Sequence, residues 1–131
     1  MTTFRISEAA ALLGVSSDTV RRWVDAGRLG AGRDEHGHRQ VNGADLAAFA
    51  RSQIEESGDG NRFRGIVTEV IRDAVMAQVE IAAGPFRVVS LMSRQAADEL
   101  GLEVGVVAVA VIKSTNVVVE IPGHERVASY L

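Results

Sequence analysis

The sequence predicts an α+β chain of two domains, a small helical domain followed by a small β-barrel. Up to about Gln53 the apolar residues follow helical spacing, and after Asn61 they form short runs rich in valine and isoleucine. A polar, glycine-containing stretch separates the two parts. We therefore expect a helical domain over 1–53, a linker over 54–60, a barrel over 61–122 and a C-terminal tail over 123–131.

The overall composition is that of a folded protein and excludes several classes of function. The 131 residues are 47% hydrophobic and 24% charged. Cysteine is absent, which excludes a disulfide scaffold, a thiolate zinc site and a cysteine nucleophile, and indicates a reducing cytoplasm. Neither a signal sequence nor a membrane span is predicted. Because the net charge is -3, contact with nucleic acid must come from a local basic surface.

The first two helices are short and closely spaced. Ser7 is the expected N-cap of the first helix, which Gly14 ends. Ser16 or Ser17 caps the second helix, and Gly27 ends it. Two such helices joined by a tight turn predict a helix-turn-helix. The apolar positions expected to face inward are Ala10, Leu13, Val20, Trp23 and Val24.

A third helix is predicted after a basic loop. Asn42 and Asp45 form a capping signal, with Leu46 and Phe49 on one face of the helix that follows. The preceding glycine-rich segment, 29–41, has the composition of a small wing. Basic side chains in and beside it are Arg28, Arg33, Arg39, His36 and His38.

The second helix has the side chains that a recognition helix needs. Serine, threonine and arginine in its first turns can donate to phosphates and base edges, and arginine suits bidentate contact with guanine. Alone, Arg21 and Arg22 would indicate only a solvated helix face, but within a helix-turn-helix they predict DNA binding. Two histidines of the wing lie beside Asp34 and Glu35, and we prefer a solvated wing to a metal site because no further ligand is evident.

The residues SEAAALLGVSSDTVRRW at 7–23, followed by GRL at 27–29, resemble the winged helix-turn-helix of the MerR and excisionase superfamily. The resemblance covers residues 3 to about 53 and includes Gly-His-Arg at 37–39 as the wing tip. It implies that the partner is double-stranded DNA and that Trp23 packs or touches a phosphate. The DNA-contacting residues that it implies are Ser17, Thr19, Arg21, Arg22 and Arg39.

Five strands and one helix are predicted in the second half, in the order of an OB-like barrel. The strands are Phe63 to Val70, Val75 to Ala82, Phe86 to Met92, Val106 to Ile112 and Asn116 to Ile121, and the helix, Ser93 to Leu100, follows the third strand. The fourth strand is apolar at both alternating sets of positions. A domain of about 60 residues also buries little surface by itself, so we expect subunits to associate.

Residues 61–122 resemble the molbindin (Mop/TOBE) domain, a small barrel that binds molybdate or tungstate. The matching segments are NRFRG at 61–65 with Val67, ADELGL at 97–102 with Gly105, and VIKST at 111–115. The resemblance implies an oxyanion ligand and a homo-oligomer, either a dimer or a trimer of dimers, with Ser93 supplied by the neighbouring subunit. The oxyanion-binding residues that it implies are Lys113, Ser114, Thr115, Ser93 and Asn61.

The chemistry of the Lys-Ser-Thr turn fits a tetrahedral anion. An ammonium group supplies charge, while a hydroxyl and successive backbone N–H groups supply donors. Lys113 is the only lysine beside thirteen arginines, which indicates a need for a compact charge. The simpler alternatives remain open, namely that Lys113 is a surface residue and that Ser93 is an ordinary helix N-cap.

Two departures from the molbindin pattern leave the identity of the ligand open. Where the family often has Ser-Ala-Arg before Asn61, this chain has Gly58-Asp59-Gly60, and Ala96 replaces a family serine. Each lost charged hydrogen bond weakens oxyanion binding by about 1.5 to 3 kcal/mol. Arg62 or Arg64 could substitute from a neighbouring position.

The sequence therefore predicts a DNA-binding transcriptional regulator whose second domain forms oligomers and senses molybdate or tungstate. One alternative is a DNA-binding oligomer whose barrel only assembles subunits, and another is a molybdate storage protein. An enzyme is not expected, because His124 is isolated and no Ser, His and acid spacing indicates a nucleophile. The scattered glycines form no nucleotide-binding loop.

Overall fold

The computed structural model describes residues 2–54, 61–123 and 127–128. The chain divides into two compact units, Met1–Glu55 and Glu56–Leu131, which are described separately below. Gly58, Asp59 and Gly60 of the predicted linker lie outside the described residues, as does His124. In the described part of the chain, no helix has both the length and the apolar character needed to cross a membrane.

The first unit consists of three helices and a small antiparallel sheet. Its elements are β1 (Thr3–Arg5), α1 (Ile6–Leu13), α2 (Ser17–Asp25), β2 (Gly32–Arg33), β3 (Arg39–Asn42) and α3 (Gly43–Gln53). The strands are ordered β1-β3-β2. Strands β2 and β3 form the wing, and β1 pairs with the other edge of β3, so that the start of α1 lies beside the wing.

Helix α1 begins earlier than the sequence predicts. Ser7 is not its N-cap, because the helix starts at Ile6 and Arg5 occupies the cap position. The backbone N–H of Arg5 donates to Glu8 Oε1 at 2.9 Å, so the glutamate three residues on caps the helix in place of the serine. Gly14 ends the helix in the left-handed conformation, with φ of 70°, as glycine permits without strain.

Side-chain caps begin the next two helices, as predicted. Ser16 is the N-cap of α2, and its Oγ accepts a hydrogen bond from the backbone N–H of Thr19 at 3.1 Å, which places Ser17 inside the helix. Asn42 caps α3 by accepting from the backbone N–H of Ala44 at 2.7 Å. Both caps depend only on neighbours in sequence.

The core of the first unit joins its helices to the central strand β3. Ring centroids of Trp23 and Phe49 lie 4.8 Å apart, so the predicted inward tryptophan packs between α2 and α3. The buried residues are Ile6, Ala9, Ala10, Val20, Leu29, Val41, Leu46 and Phe49. This packing holds α2 against α1 and α3 with its polar side exposed.

The second unit is a curled antiparallel half-barrel with one short helix. Its elements are β4 (Asn61–Arg72), β5 (Met76–Ala83), β6 (Phe86–Ser93), α4 (Arg94–Glu99), β7 (Val107–Ile112), β8 (Val119–Glu120) and β9 (Val127–Ala128). The main sheet has the order β6-β5-β4-β7. The buried core cluster of this unit consists of Val67, Ala77, Val79, Ile81, Ala97 and Leu102. The predicted α+β class, helix-turn-helix followed by an OB-like fold, is confirmed.

The predicted fifth strand, Asn116 to Ile121, is mostly not a strand. Ser114–Asn116 form a turn of 3-10 helix instead, in which the backbone N–H of Asn116 donates to the carbonyl of Lys113 at 2.8 Å. This turn redirects the chain after β7. The short strand that follows, β8, pairs with β9 and not with the main sheet, which has four strands within the described residues.

Gly65 is the glycine, among the described residues, at which an added Cβ atom would meet the neighbouring backbone most closely. A Cβ atom there would lie 2.2 Å from the carbonyl oxygen of Ala82, on the adjacent strand. We expect Gly65→Ala to lower the free energy of unfolding by about 2 kcal/mol, because two paired strands must move apart. Urea unfolding measures this loss. Gly32→Ala is the control, since no atom lies within 4 Å of its Cβ, and an equal loss in both variants would contradict the steric explanation.

Candidate functional site

The exposed side of α2 carries the side chains predicted to contact DNA. Arg21 and Arg22 are exposed, and Ser17 and Thr19 are half-buried at the start of the helix. Nη1 of Arg21 donates to Asp18 Oδ1 at 2.8 Å, and Nη2 of Arg22 donates to Thr19 Oγ1 at 3.1 Å. Both guanidinium groups are thus oriented by neighbours one helical turn earlier, with other donors left for a ligand.

The predicted wing residue Arg39 lies beside the same helix. Its Nη2 donates to Asp25 Oδ1, at the end of α2, at 2.8 Å. This ion pair connects β3 to α2 and brings Arg39 to the helix that carries Arg21 and Arg22. The structure thereby places all five predicted DNA-contacting residues on α2 or directly beside it.

The wing turn is organised by one carboxylate. Oδ1 of Asp34 accepts from the backbone N–H groups of His38, at 2.9 Å, and His36, at 2.8 Å. These two bonds hold the pKa of Asp34 below its ordinary value. Because the pKa is lowered, this support for the turn is present at neutral pH and is lost only as the pH falls through the lowered value.

The wing histidines form no metal site with their neighbours. His38 Nδ1 lies 3.6 Å from Asp34 Oδ2, and His36 Nε2 lies 3.7 Å from Glu35 Oε1. Over residues 2–54 and 61–123, no group of three or more His, Asp or Glu side chains is arranged to hold a metal ion. Both histidines are exposed on the wing.

Two arginines that are not among the five predicted DNA contacts lie close to this surface. Arg5 and Arg33 line a cleft that Arg21 and Arg39 also line. Arg33 could have been chosen from the basic composition of the wing. Arg5 could not, because its position depends on the pairing of β1 with β3, which joins residues far apart in sequence.

Four of the five predicted oxyanion-binding residues lie at one end of the main sheet. Asn61 begins β4 and pairs with Ile112, the last residue of β7, so Asn61 lies beside the start of the Lys113 turn. Ser114 and Thr115 follow in that turn. Lys113, Ser114 and Thr115 are exposed, and the lysine has no ion pair within the described residues.

Ser93 lies at the other end of the same sheet. It pairs with Met76, and the β4–β5 register places this pair near Arg72, the last residue of β4. Within one chain, Ser93 is therefore not brought to the Lys113 turn. Its Oγ accepts from the backbone N–H of Ala96 at 3.1 Å and so caps α4. The simpler role of Ser93, as a helix N-cap, is present in the structure.

The second unit exposes an apolar outer face. On it Val107 and Val111 of β7 are 57% and 60% exposed, and Val109 lies between them. Ile66, paired with Val107, continues this face onto β4. Arg62 and Arg64 pair with Val111 and Val109, so two exposed arginines flank the valines. A cleft of about 580 Å³ with apolar walls also lies between β6 and β7.

Two family models match separate parts of the chain, one in each compact unit. Residues 3–54 match the family model of a helix-turn-helix domain, and residues 57–119 match that of a TOBE domain. No curated protein matches the chain significantly. Among solved structures, MopII from Clostridium pasteurianum is 31% identical, with 50% of this chain and 100% of that chain covered and a TM-score of 0.45. A molybdate binding protein from Sporomusa ovata is 24% identical, with 52% and 100% covered and a TM-score of 0.46.

Proposed function

We propose that this chain, a helix-turn-helix domain followed by a TOBE domain, is a DNA-binding transcriptional regulator. Its second domain assembles subunits and senses an oxyanion. The observation that carries the proposal is the presence, in one chain, of exposed arginines on α2 and an exposed Lys-Ser-Thr turn at a sheet end. Such a protein acts in the cytoplasm and has no catalytic step.

In the proposed DNA complex, α2 enters the major groove with its N-terminal turns foremost. Arg21 and Arg22 supply donors to base edges, Ser17 and Thr19 supply shorter donors, and Arg39 contacts the backbone from the wing. The hydrogen bonds from Arg21 to Asp18 and from Arg22 to Thr19 support this role, because they fix the guanidinium groups before DNA arrives.

In the proposed anion site, the ligand is molybdate or tungstate. Lys113 supplies the positive charge, Ser114 and Thr115 supply donors, and Asn61 lies beside them. Ser93 of the same chain lies at the opposite end of the sheet, so a second subunit must supply that hydroxyl. A pocket completed only between subunits couples ligand binding to assembly, which is one way for a regulator to respond to its ligand.

We expect the full chain to be a homo-oligomer, either a dimer or a trimer of dimers. The valines of β7 and the apolar cleft favour association, because such exposed surface is costly in water. Light scattering at micromolar concentration should give a mass at least twice the 14.0 kDa of one chain. Val109→Asp should lower that mass, and a monomeric natural protein would refute the assembly.

A second function is favoured by two departures from the molbindin pattern. Ala96 occupies the first turn of α4, where the molbindin pattern has a serine, and Gly60 replaces an arginine. A barrel with these losses could assemble a DNA-binding protein without binding any anion. Storage of molybdate is disfavoured, since it leaves the arginines of α2 without a role.

Calorimetric titration of the purified full chain distinguishes the two functions. Molybdate and tungstate should release heat and saturate the protein, and sulfate is the comparison that tests whether the site distinguishes between tetrahedral anions. Absence of heat with all three anions at millimolar concentration would favour the assembly function. DNA binding does not enter this measurement, so the two sites are tested separately.

A further inference from the structure

A shallow cleft in the first unit brings together arginines from four elements. The cleft measures about 340 Å³ and lies between the start of α1, the side of α2 and the wing. Its basic lining residues are Arg5, Arg21, Arg33, His38 and Arg39, and Ser7 lies among them. None of the residues that line it, all within the described range 2–54, is acidic.

The carboxylates close to the cleft are already engaged. Asp18 accepts from Arg21 and Asp25 accepts from Arg39, each at 2.8 Å. Asp34 is only 15% exposed and accepts the two backbone N–H groups of the wing turn. These contacts reduce the charge available on Arg21 and Arg39. Arg5 interacts electrostatically with Asp34 without forming an ion pair, so its charge is only partly compensated.

The guanidinium groups of Arg5 and Arg33 form no ion pair with a carboxylate in the described part of the chain. Arg33 donates from Nη1 to the carbonyl of Gly37 at 2.6 Å, which orients its guanidinium group and leaves further N–H donors. Arg33 is also paired directly with Arg39 across β2 and β3. Like charges at paired positions destabilise a sheet, so this arrangement has a cost that an anion would remove.

We propose that this cleft is a binding site for one backbone phosphate of duplex DNA, held by Arg5 and Arg33. The inference rests on the proposed DNA binding and names a contact beyond α2. Arginine suits the ligand because its planar group of donors matches phosphate oxygens. The open cleft suits a phosphate that belongs to a long polymer, and Arg21 connects it to the exposed side of α2.

A phosphate contact has a different consequence from a base contact. It fixes the register of the protein on the duplex but carries no sequence information. Loss of Arg5 and Arg33 should therefore weaken binding to every duplex by the same factor. Loss of Arg21 and Arg22 should instead weaken binding to the preferred sequence more than binding to other sequences.

The test compares the natural full-length protein with the double variant Arg5→Gln, Arg33→Gln. Fluorescence anisotropy measures binding to DNA from upstream of its own gene and to a scrambled duplex of equal length, over a range of salt concentrations. We expect affinity for both duplexes to fall about tenfold, and the slope of log affinity against log salt to decrease in magnitude by about one. Thermal unfolding of the variant verifies that it is folded.

Two further variants make the result specific. Arg5→Lys, Arg33→Lys keeps the charge and should keep the salt slope. Arg28→Gln removes one positive charge outside the cleft. The guanidinium carbon of Arg28 lies 6.0 Å from the ring centroid of Phe49. This variant should change the salt slope less than the double variant does. Inorganic phosphate at constant ionic strength should compete poorly, and strong competition would identify a small-anion site instead.

The outcomes separate this inference from the proposed function. If the natural protein binds no duplex, DNA binding itself is refuted. If the natural protein binds and the Arg5 and Arg33 variant behaves as Arg28→Gln does, only the phosphate site is refuted. A loss confined to one of the two duplexes would also overturn it, because that result indicates a base contact.

Discussion

Replacing both Arg21 and Arg22 by alanine should reduce binding to the preferred duplex by at least about 30-fold. Each well-placed arginine contact with a base contributes about 1 to 3 kcal/mol, so two contacts correspond to about 30-fold to 20,000-fold in affinity. The fold should survive, because both side chains are exposed and Asp18, left without its partner, remains favourable at the start of a helix. Gel shifts with DNA upstream of its own gene measure the loss.

A matched control removes the same charge from the other domain. Arg62→Ala, Arg64→Ala takes two exposed arginines from β4, and neither forms an ion pair within the described residues. This variant should lose little affinity for DNA if α2 is the recognition helix. Unchanged binding by the Arg21 and Arg22 variant would show that another surface contacts the DNA.

Lys113→Ala should weaken molybdate binding at least tenfold. The substitution removes the only formal positive charge of the turn, and a charged hydrogen bond contributes about 1.5 to 3 kcal/mol. Calorimetry measures the change. Gly60→Arg should strengthen binding, since it restores an arginine that the molbindin pattern has. Lys113→Arg should recover part of the affinity because it keeps the charge and changes only its shape.

Calorimetry on these variants also shows whether the anion binds at the Lys113 turn. If the natural protein binds molybdate and Lys113→Ala binds it equally well, the anion lies elsewhere in the domain. If neither the natural protein nor Gly60→Arg gives heat at millimolar molybdate, the barrel serves assembly alone.

Features determined by neighbouring residues could be predicted from the sequence. Ser16 and Asn42 cap their helices through bonds that span two or three residues, and the exposed arginines of α2 follow from helical periodicity. The cap of α1 was predicted wrongly, because Ser7 and Glu8 both fit the pattern and only the side chain that reaches back to Arg5 decides the start.

Features determined by distant pairing could not be predicted in the same way. Arg5 joins the basic cleft only because β1 pairs with β3. Ser93 is separated from Lys113 because β6 and β7 run in opposite directions, so that their last residues lie at opposite ends of the sheet. The predicted fifth strand failed for a related reason. Valine-rich residues favour a strand, but the turn at Ser114–Asn116 and the pairing with β9 decide where a strand forms.

The central claim is that the chain is one regulator in which anion binding changes DNA binding. The most direct test is the affinity of the natural full-length protein for DNA upstream of its own gene, measured with and without saturating molybdate at constant ionic strength. A coupling of about 1 to 3 kcal/mol predicts a change of at least fivefold, absent in Lys113→Ala. Equal affinity with and without molybdate, in a protein that binds the anion by calorimetry, would contradict the claim.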